Sequence, residues 1–232
     1  MKVNDDFEAR AAVHARDIDW VPSPVAGVDR KMFDRVGGEV ARATSIVRYA
    51  PGSLFSPHVH GGGEEFVVLD GVFQDEHGNY PAGSYVRNPP TSRHRPGSGP
   101  GCTIFVKLWQ FDPEDRTQVR LDLFDPAPEA VPERPGVEMR TIFQDSRECV
   151  SSAFWHPGAS IFRRNEGGME LLCLKGSFTE GGETFSTWSW LRLPPGTALQ
   201  AEAGPEGAFL WMKEGHLRFV EKELAALEAA AP

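Results

Sequence analysis

Between positions 51 and 94 the chain runs Pro51-Gly52, five residues, His58-Val59-His60, three glycines, Glu64 and, further on, a single His94. Imidazole nitrogens and a carboxylate oxygen are donors that hold divalent first-row transition metals. Successive side chains on a strand point to opposite faces, so His58 and His60 share one face, and Glu64 joins them if no bulge intervenes. Three imidazoles and one carboxylate then converge on one ion. Gly61, Gly62 and Gly63 let the backbone bend and keep bulk away from the ligands, and the same freedom makes the parity conditional. A bulge here would exchange Glu64 for Glu65; Glu64 is the preferred ligand.

The spacing also resembles the cupin pattern. Gly52, His58, His60, Glu64 and Gly71 fill its first motif without a gap, and Gly83, Pro89 and His94 fill the second. Thr91 stands where that motif has glycine, and Ser98 where it usually has asparagine. One divalent transition metal is expected at His58, His60, Glu64 and His94: Zn or Fe(II), with Mn, Ni and Co also suited to three nitrogens and one oxygen.

The elements that must position these residues are strands. At 232 residues, 40% hydrophobic and 25% charged, the chain has the composition of a soluble globular protein able to bury one large core or two small ones. Twenty-four glycines and nineteen prolines punctuate short runs rich in Val, Phe, Trp, Leu and Tyr, so the fold class is all-β. A formal charge of −9 without a basic cluster argues against nucleic acid and anionic membranes as partners. The acidic start, MKVNDDFEARAAVHARDIDW, has no long apolar core, and no apolar run reaches transmembrane length, which points to a cytoplasmic protein. Cys102, Cys149 and Cys173 are too few and scattered for a disulfide framework. Cys102 is a candidate for redox chemistry, because it opens an apolar run soon after His94.

An internal repeat sets the domain count. Glu65, Leu69, Gly71, Phe73, Ser84, Arg87, Pro89 and Pro90 recur 105 positions on (65 to 170) as Glu170, Leu174, Gly176, Phe178, Ser189, Arg192, Pro194 and Pro195. Pro51, Gly52, Gly61 and Gly62 align instead at 106 (51 to 157) with Pro157, Gly158, Gly167 and Gly168, as if one glycine had been lost. Two tandem cupin barrels (double-stranded β-helix, or jelly-roll) with a short C-terminal helix follow. The expected layout is an arm over 1–40, a metal-binding barrel over 41–112 and a Pro-rich linker over 113–137. A degenerate barrel over 138–220 and a helical tail over 221–232 complete it. On this alignment His58, His60 and His94 become Arg164, Glu166 and Leu199, so the second barrel keeps no imidazole at these positions; Arg164 could pair there with Glu166 or Glu170. Shared residues such as Arg87 and Arg192 read as architecture. His77 lies in an expected hairpin turn, and His14, His156 and His216 read as structural or surface residues. The tail VEKELAALEAAAP has an apolar stripe at Val220, Leu224 and Leu227, suited to packing on the second barrel.

From about Arg42 to Gln110 the chain resembles the cupin domain of the ChrR-like anti-sigma factors, most specifically in HVHGGGEEFVVLDGVFQDE, YPAGSYVRNPP and GCTIFVK. The resemblance implies metal binding by His58, His60, Glu64 and His94, with zinc in the sigma-regulating members. Those regulators carry a helical sigma-binding segment with His and Cys zinc ligands ahead of the cupin; fewer than fifty residues precede the barrel here and none is cysteine, so anti-sigma activity is not expected. Two functions remain. One is a mononuclear metalloenzyme, dioxygenase-like with Fe(II) and acting on a diketone or hydroxyketone, or hydrolytic or isomerising with Zn(II). The other is a zinc-binding sensor or regulatory cupin whose four ligands close the coordination shell. The enzyme is favoured. Phe55, Phe66, Phe73, Tyr85, Phe105 and Trp109 are candidates for an apolar pocket wall, and Lys107 or Arg93 for an anionic substrate group. The partner expected is a small molecule, and homodimerisation is compatible with the sequence.

Overall fold

The computed structural model describes residues 1–230. Apart from two short 3-10 turns, its regular structure is β-strand, with one α-helix at Val220–Ala230. That helix is not long and apolar enough to cross a membrane. The chain divides into two compact units with interleaved sequence. The first comprises Met1–Asp5, Asp19–Asp125 and the chain from Glu221 onward; the second comprises Asp6–Ile18 and Pro126–Val220.

This division differs from a free arm and a free linker. Lys2–Val3 and Val28–Gly37 are strands of the first unit's sheet, while Ala11–His14 pairs with Ser189–Leu193 in the second. Within the supposed linker, Val119–Asp122 pairs with Ser84–Asn88, and Glu129–Ala130 pairs with Val137–Gln144. Such edge strands are short and at best half-buried, so their sequences lack the strong apolar alternation that marks a central strand.

In the first unit the main sheet runs Lys2–Val3, Val28–Gly37, Ala41–Tyr49, Cys102–Leu108, Glu64–Asp75, Ser84–Asn88 and Val119–Asp122, antiparallel throughout. The Glu64–Asp75 strand passes from this sheet to the opposite wall, where its far end pairs with Gly78–Pro81 and Gly97–Ser98. Gly71 makes the turn at φ +71, and a Cβ there would lie 2.1 Å from the Gly101 carbonyl oxygen. Phe66, Val68, Phe73, Val86, Ile104 and Val106 fill the interior between the walls. Glu64 has the parity of Phe66 and Val68 and therefore faces the same interior.

The second unit repeats this plan, with Met169–Glu180 in the role of Glu64–Asp75 and Gly176 bent at φ +73 against the Gly207 carbonyl oxygen. Arg87 and Arg192 do equivalent work. Arg87 donates to Asp115 and the Thr117 carbonyl over the Phe111 ring; Arg192 donates to the Asp6 carbonyl over the Phe7 ring. The shared arginines thus tie extended segments to each unit.

Strand register replaces the alignment over the ligand loop. Arg163 pairs with Leu199 as His58 pairs with His94; Gly196 donates to the Asn165 carbonyl as Thr91 donates to that of His60; and Met169 pairs with Leu193 as Glu64 pairs with Asn88. His58, His60, Glu64 and His94 therefore correspond to Arg163, Asn165, Met169 and Leu199, an offset of 105 throughout (163 − 58, 199 − 94). Arg164 and Glu166, expected in a vacated pocket, are exposed, and buried Glu170 bonds Trp190 and His216. No glycine was lost: Gly63 and Gly168 occupy the same place, at φ +79 and +82. The one-residue slip falls earlier, between the Pro51-Gly52 turn, which matches Pro157-Gly158 at 106, and His58, which matches Arg163 at 105.

The C-terminal helix forms as expected, but it groups with the first unit and not the second. Leu227 is buried, and Glu223 on the same helix accepts a 2.8 Å hydrogen bond from buried Arg42. An apolar stripe marks a buried face without naming what it meets; the buried carboxylate names Arg42. Positions 231 and 232 of the expected tail lie outside the described residues.

Thr91 has φ +73 where the second unit has Gly196 at +85. A β-branched residue is strained in this left-handed region by roughly 1–3 kcal/mol. Thr91→Gly is expected to raise stability by about 1 kcal/mol, the strain relief exceeding the added chain entropy of glycine, as measured by urea unfolding; an unchanged or lower midpoint counts against strain at Thr91.

Candidate metal centre

The His58–Val59 strand pairs with Arg93–His94, setting His94 directly opposite His58. The ladder continues through the His60 N–H to the Ser92 carbonyl and the Thr91 N–H to the His60 carbonyl. The chain then turns through the three glycines into Glu64. Ligand-capable atoms of His58, His60, Glu64 and His94 lie within 4.8 Å of one another; His58 is exposed and the other three are buried. The imidazole rings meet edge to face, with centroids 4.7–5.0 Å apart.

The glycines serve aromatic packing as much as bending. A Cβ on Gly61 or Gly62 would come within 2.8 or 2.3 Å of the Trp109 ring, and one on Gly63 within 2.4 Å of Phe111. Trp109 also bonds through its N–H to the Gly63 carbonyl, 3.1 Å away. The ligand loop is therefore clamped from one side by two aromatic rings.

The proton positions on two histidines follow from their neighbours. Ser92 Oγ donates its proton to the Pro89 carbonyl at 2.5 Å, so toward His60 Nδ1, 2.9 Å away, it accepts. Asp75 accepts from His94 Nδ1 at 3.3 Å. With both Nδ1 atoms acting as donors, the neutral rings present Nε2 lone pairs, and these lie 3.3 Å apart. Glu64 Oε2 is 3.4 Å from the first and 3.6 Å from the second, and Asn88 Nδ2 donates to the same oxygen at 3.3 Å. Two lone pairs and a carboxylate oxygen aimed at one point repel one another unless a cation or a proton lies between them. The donor set thus fits a divalent metal ion.

Burial pushes the His60 imidazolium down to about 4, more than Glu64 raises it, with His94 and His58 lowering it further. Burial also acts to lower His94, but the Asp75 hydrogen bond and the charges of Glu64 and Asp75 outweigh it, so His94 holds its proton above the usual range. Asp75 is steadied by the His77 and Gly78 N–H groups and the Tyr80 hydroxyl. The turn recognised at Asp75-Glu76-His77-Gly78-Asn79, with exposed His77, therefore has a second use: it holds the carboxylate that aims His94. Asp75, Ser92 and Asn88 had no sequence signal of their own, since each becomes a partner only when separate strands meet.

Glu65 faces away from this cluster and accepts a 2.7 Å hydrogen bond from Tyr85, so the strand enters without the bulge that would have exchanged the two glutamates. Burial pushes the Cys102 thiol up to about 11, against the lowering effect of Ser98. It is a protonated core residue at neutral pH, which counts against the redox role. Among the expected wall residues, Phe55 lines a cleft of about 800 Å³ that also reaches His58. Phe66 and Phe73 lie in the core; Tyr85, Phe105 and Lys107 take the opposite parity, with Lys107 bonding Thr44; and Arg93 is exposed. Tyr49, which forms part of the cleft wall, went unrecognised because its strand position is also that of a core residue.

In the second unit Met169 and Leu199 join Leu171, Leu193 and Phe178 in an apolar core, Arg163 pairs with Glu214, and Asn165 bonds three backbone carbonyls. The same backbone positions hold hydrocarbon where the first unit gathers metal donors.

The strand order is that of a cupin, and these donors could hold a metal ion. The fold is similar, at a TM-score of 0.72 and 14% identity, to a candidate dioxygenase from Nostoc punctiforme, covering 91% of this chain and 84% of that one. It is similar also to a cupin 2 conserved barrel domain protein from Leptotrichia buccalis (TM-score 0.59, 11% identity, 84% and 92% covered). A third similar structure is the bacterial pirin YhhW from Escherichia coli in complex with nickel(II) (TM-score 0.60, 16% identity, 89% and 99% covered). Residues 8–112 match the ChrR cupin-like domain family. No curated protein matches the sequence.

Removing the carboxylate that orients a metal-bound histidine typically weakens metal binding ten- to a hundredfold. Asp75→Ala is expected to lower nickel(II) affinity by about that range, while Glu65→Gln leaves the stoichiometry unchanged, both read by calorimetric titration. Protons compete for the same nitrogens. Affinity is expected to fall as pH drops through the raised value of His94, with His60 adding competition only near its own value of about 4; a flat profile from neutral pH to about 5 contradicts this assignment.

Proposed function

We propose that the chain is a single-site bicupin and a mononuclear metalloenzyme, dioxygenase-like, acting on a small oxygenated substrate such as a diketone or hydroxyketone. The observation that carries this reading is the position of His58: it is the exposed member of the donor cluster and forms part of the cleft wall. A purely structural ion needs no such approach. When bound, Fe(II) would supply redox chemistry with dioxygen, whereas Zn(II) would supply a Lewis acid and an acidified water.

The protein's own residues divide the remaining work. Ser92 and Asp75 fix the His60 and His94 rings, Asn88 steadies Glu64, and Trp109 with Phe111 packs on the glycines of the loop. On the cleft side, burial holds the Tyr49 phenol well above its ordinary value, with Glu64 and Cys102 acting in the same direction. It therefore stays a neutral hydroxyl beside the substrate path. A cytoplasmic location, a small-molecule partner and a possible homodimer fit this assignment.

The similarity to the ChrR cupin-like domain favours a second reading, a zinc-binding regulatory cupin without catalysis. Elemental analysis of anaerobically purified protein beside His60→Ala, with oxygen uptake on a panel of diketones and hydroxyketones, separates the two. Expected are about one metal equivalent in the wild type, a loss of more than tenfold in the variant, and substrate-dependent uptake. Tightly held zinc without uptake supports the regulatory cupin, and equal metal content in the variant removes the site.

A further inference from the structure

The cleft beside His58 has a composition that restricts what can lie in it. It is bounded by the Ser23–Val28 loop, the Tyr49–Ser56 segment and Pro96, and encloses about 800 Å³. Among its lining residues there is no Asp, Glu, Lys or Arg. Its aromatic side is the tilted pair Tyr49–Phe55, with ring centroids 5.0 Å apart. Its polar groups are serine hydroxyls, the Tyr49 phenol and His58.

The rim is apolar and open. Val25 is 49% exposed and Leu54 62%, and both line the cleft; Val59, next to His58, is 63% exposed. Large apolar side chains left in water around a concavity mark a surface that apolar matter covers. Arg95 precedes Pro96 in the chain and lines a neighbouring cavity, with Gln74, Glu76 and Asn79, that shares Ser53 and Leu54 with the cleft; its backbone N–H donates to Glu76 and its Nε donates to the Phe55 carbonyl at 3.3 Å. That guanidinium is engaged by a backbone carbonyl and is not among the residues that line the cleft.

We infer that this cleft takes a ligand whose metal-directed end carries oxygens and whose remainder is uncharged and apolar, and that it discriminates against a carboxylate or phosphate at the distal end. The inference rests on the proposed metal reading for the oxygen-bearing end only; the lining alone decides the distal end. An anion placed between Val25, Leu54 and Phe55 would lose hydration without meeting a cationic side chain in the lining, and the Arg95 guanidinium is already engaged by the Phe55 carbonyl, which disfavours it. Serine hydroxyls and a neutral phenol can accept or donate single hydrogen bonds to a carbonyl, and they do not neutralise a charge.

The experiment uses two probes that differ at one position. Heptane-2,4-dione and succinylacetone share the same dione, and the terminal methyl of the first is a carboxylate in the second. Each is titrated calorimetrically into the full chain loaded with nickel(II), and into the Val25→Arg variant, which puts a guanidinium on the rim away from the metal donors. The neutral dione is expected to bind the wild type at least tenfold more tightly, and Val25→Arg to shrink or invert that ratio by a similar factor. Equal or tighter binding of succinylacetone by the wild type overturns the inference while leaving the metal site intact. Failure of the wild type to take up nickel(II) overturns the metal reading instead. The same pair is then compared on the metal-free chain, where the preference for the neutral probe persists if the lining sets it and vanishes if it does not.

Discussion

The first unit is organised around a repulsion. Two histidine nitrogens whose opposite ring atoms are committed as donors point their lone pairs at each other across 3.3 Å, with a carboxylate oxygen 3.4 and 3.6 Å away. In a barrel interior water cannot screen such a cluster as it would at the surface. The arrangement is sensible only around positive charge, and several other features follow from holding it in place. The Asp75 turn and Ser92 hold the rings, Asn88 holds the carboxylate, and the glycines let Trp109 and Phe111 seal the loop.

The second unit supplies an internal control. Its strands follow the same order and bend at an equivalent glycine, and its arginine anchors a segment in the same way, yet Met169 and Leu199 replace the carboxylate and the late histidine. Removing the donors removed the repulsion, and ordinary apolar packing took over the space. Scaffold and chemistry are thus separable within one chain. Glu65 and Glu170 illustrate the division from the other side: both pair in register with an arginine and a lysine and accept a hydrogen bond from an aromatic side chain, Tyr85 or Trp190, in the unit with the donor cluster and in the apolar one alike.

The path to the cluster is built from a different kind of residue. His58 stands at the exposed edge of the donor set, beside a cleft whose lining carries no formal charge other than what His58 itself can acquire. A charged centre reached through an uncharged approach separates two tasks. Under the proposed function the centre would engage the reacting atoms, and the walls would select the remainder of the ligand.

Much of this was legible in the residues themselves. The His-x-His pair, Glu64 and His94 were readable because strand parity is local geometry, and the glycine and proline punctuation with the repeat indicated two β units. Sequence alone also showed that one half lacks the imidazoles. Tertiary structure decided the rest: that Glu64 and not Glu65 faces the interior, that the four ligand positions match the second unit at an offset of 105, and that residues 11–14 and 119–122 are strands of different units. It also decided that the terminal helix meets Arg42 and that Asp75 aims His94. The physical reason is common to all of these. Parity and turn chemistry act over a few residues, whereas a bulge, an edge pairing, a helix's docking face or a hydrogen bond across strands is selected by groups distant in sequence, and only folding brings those groups together.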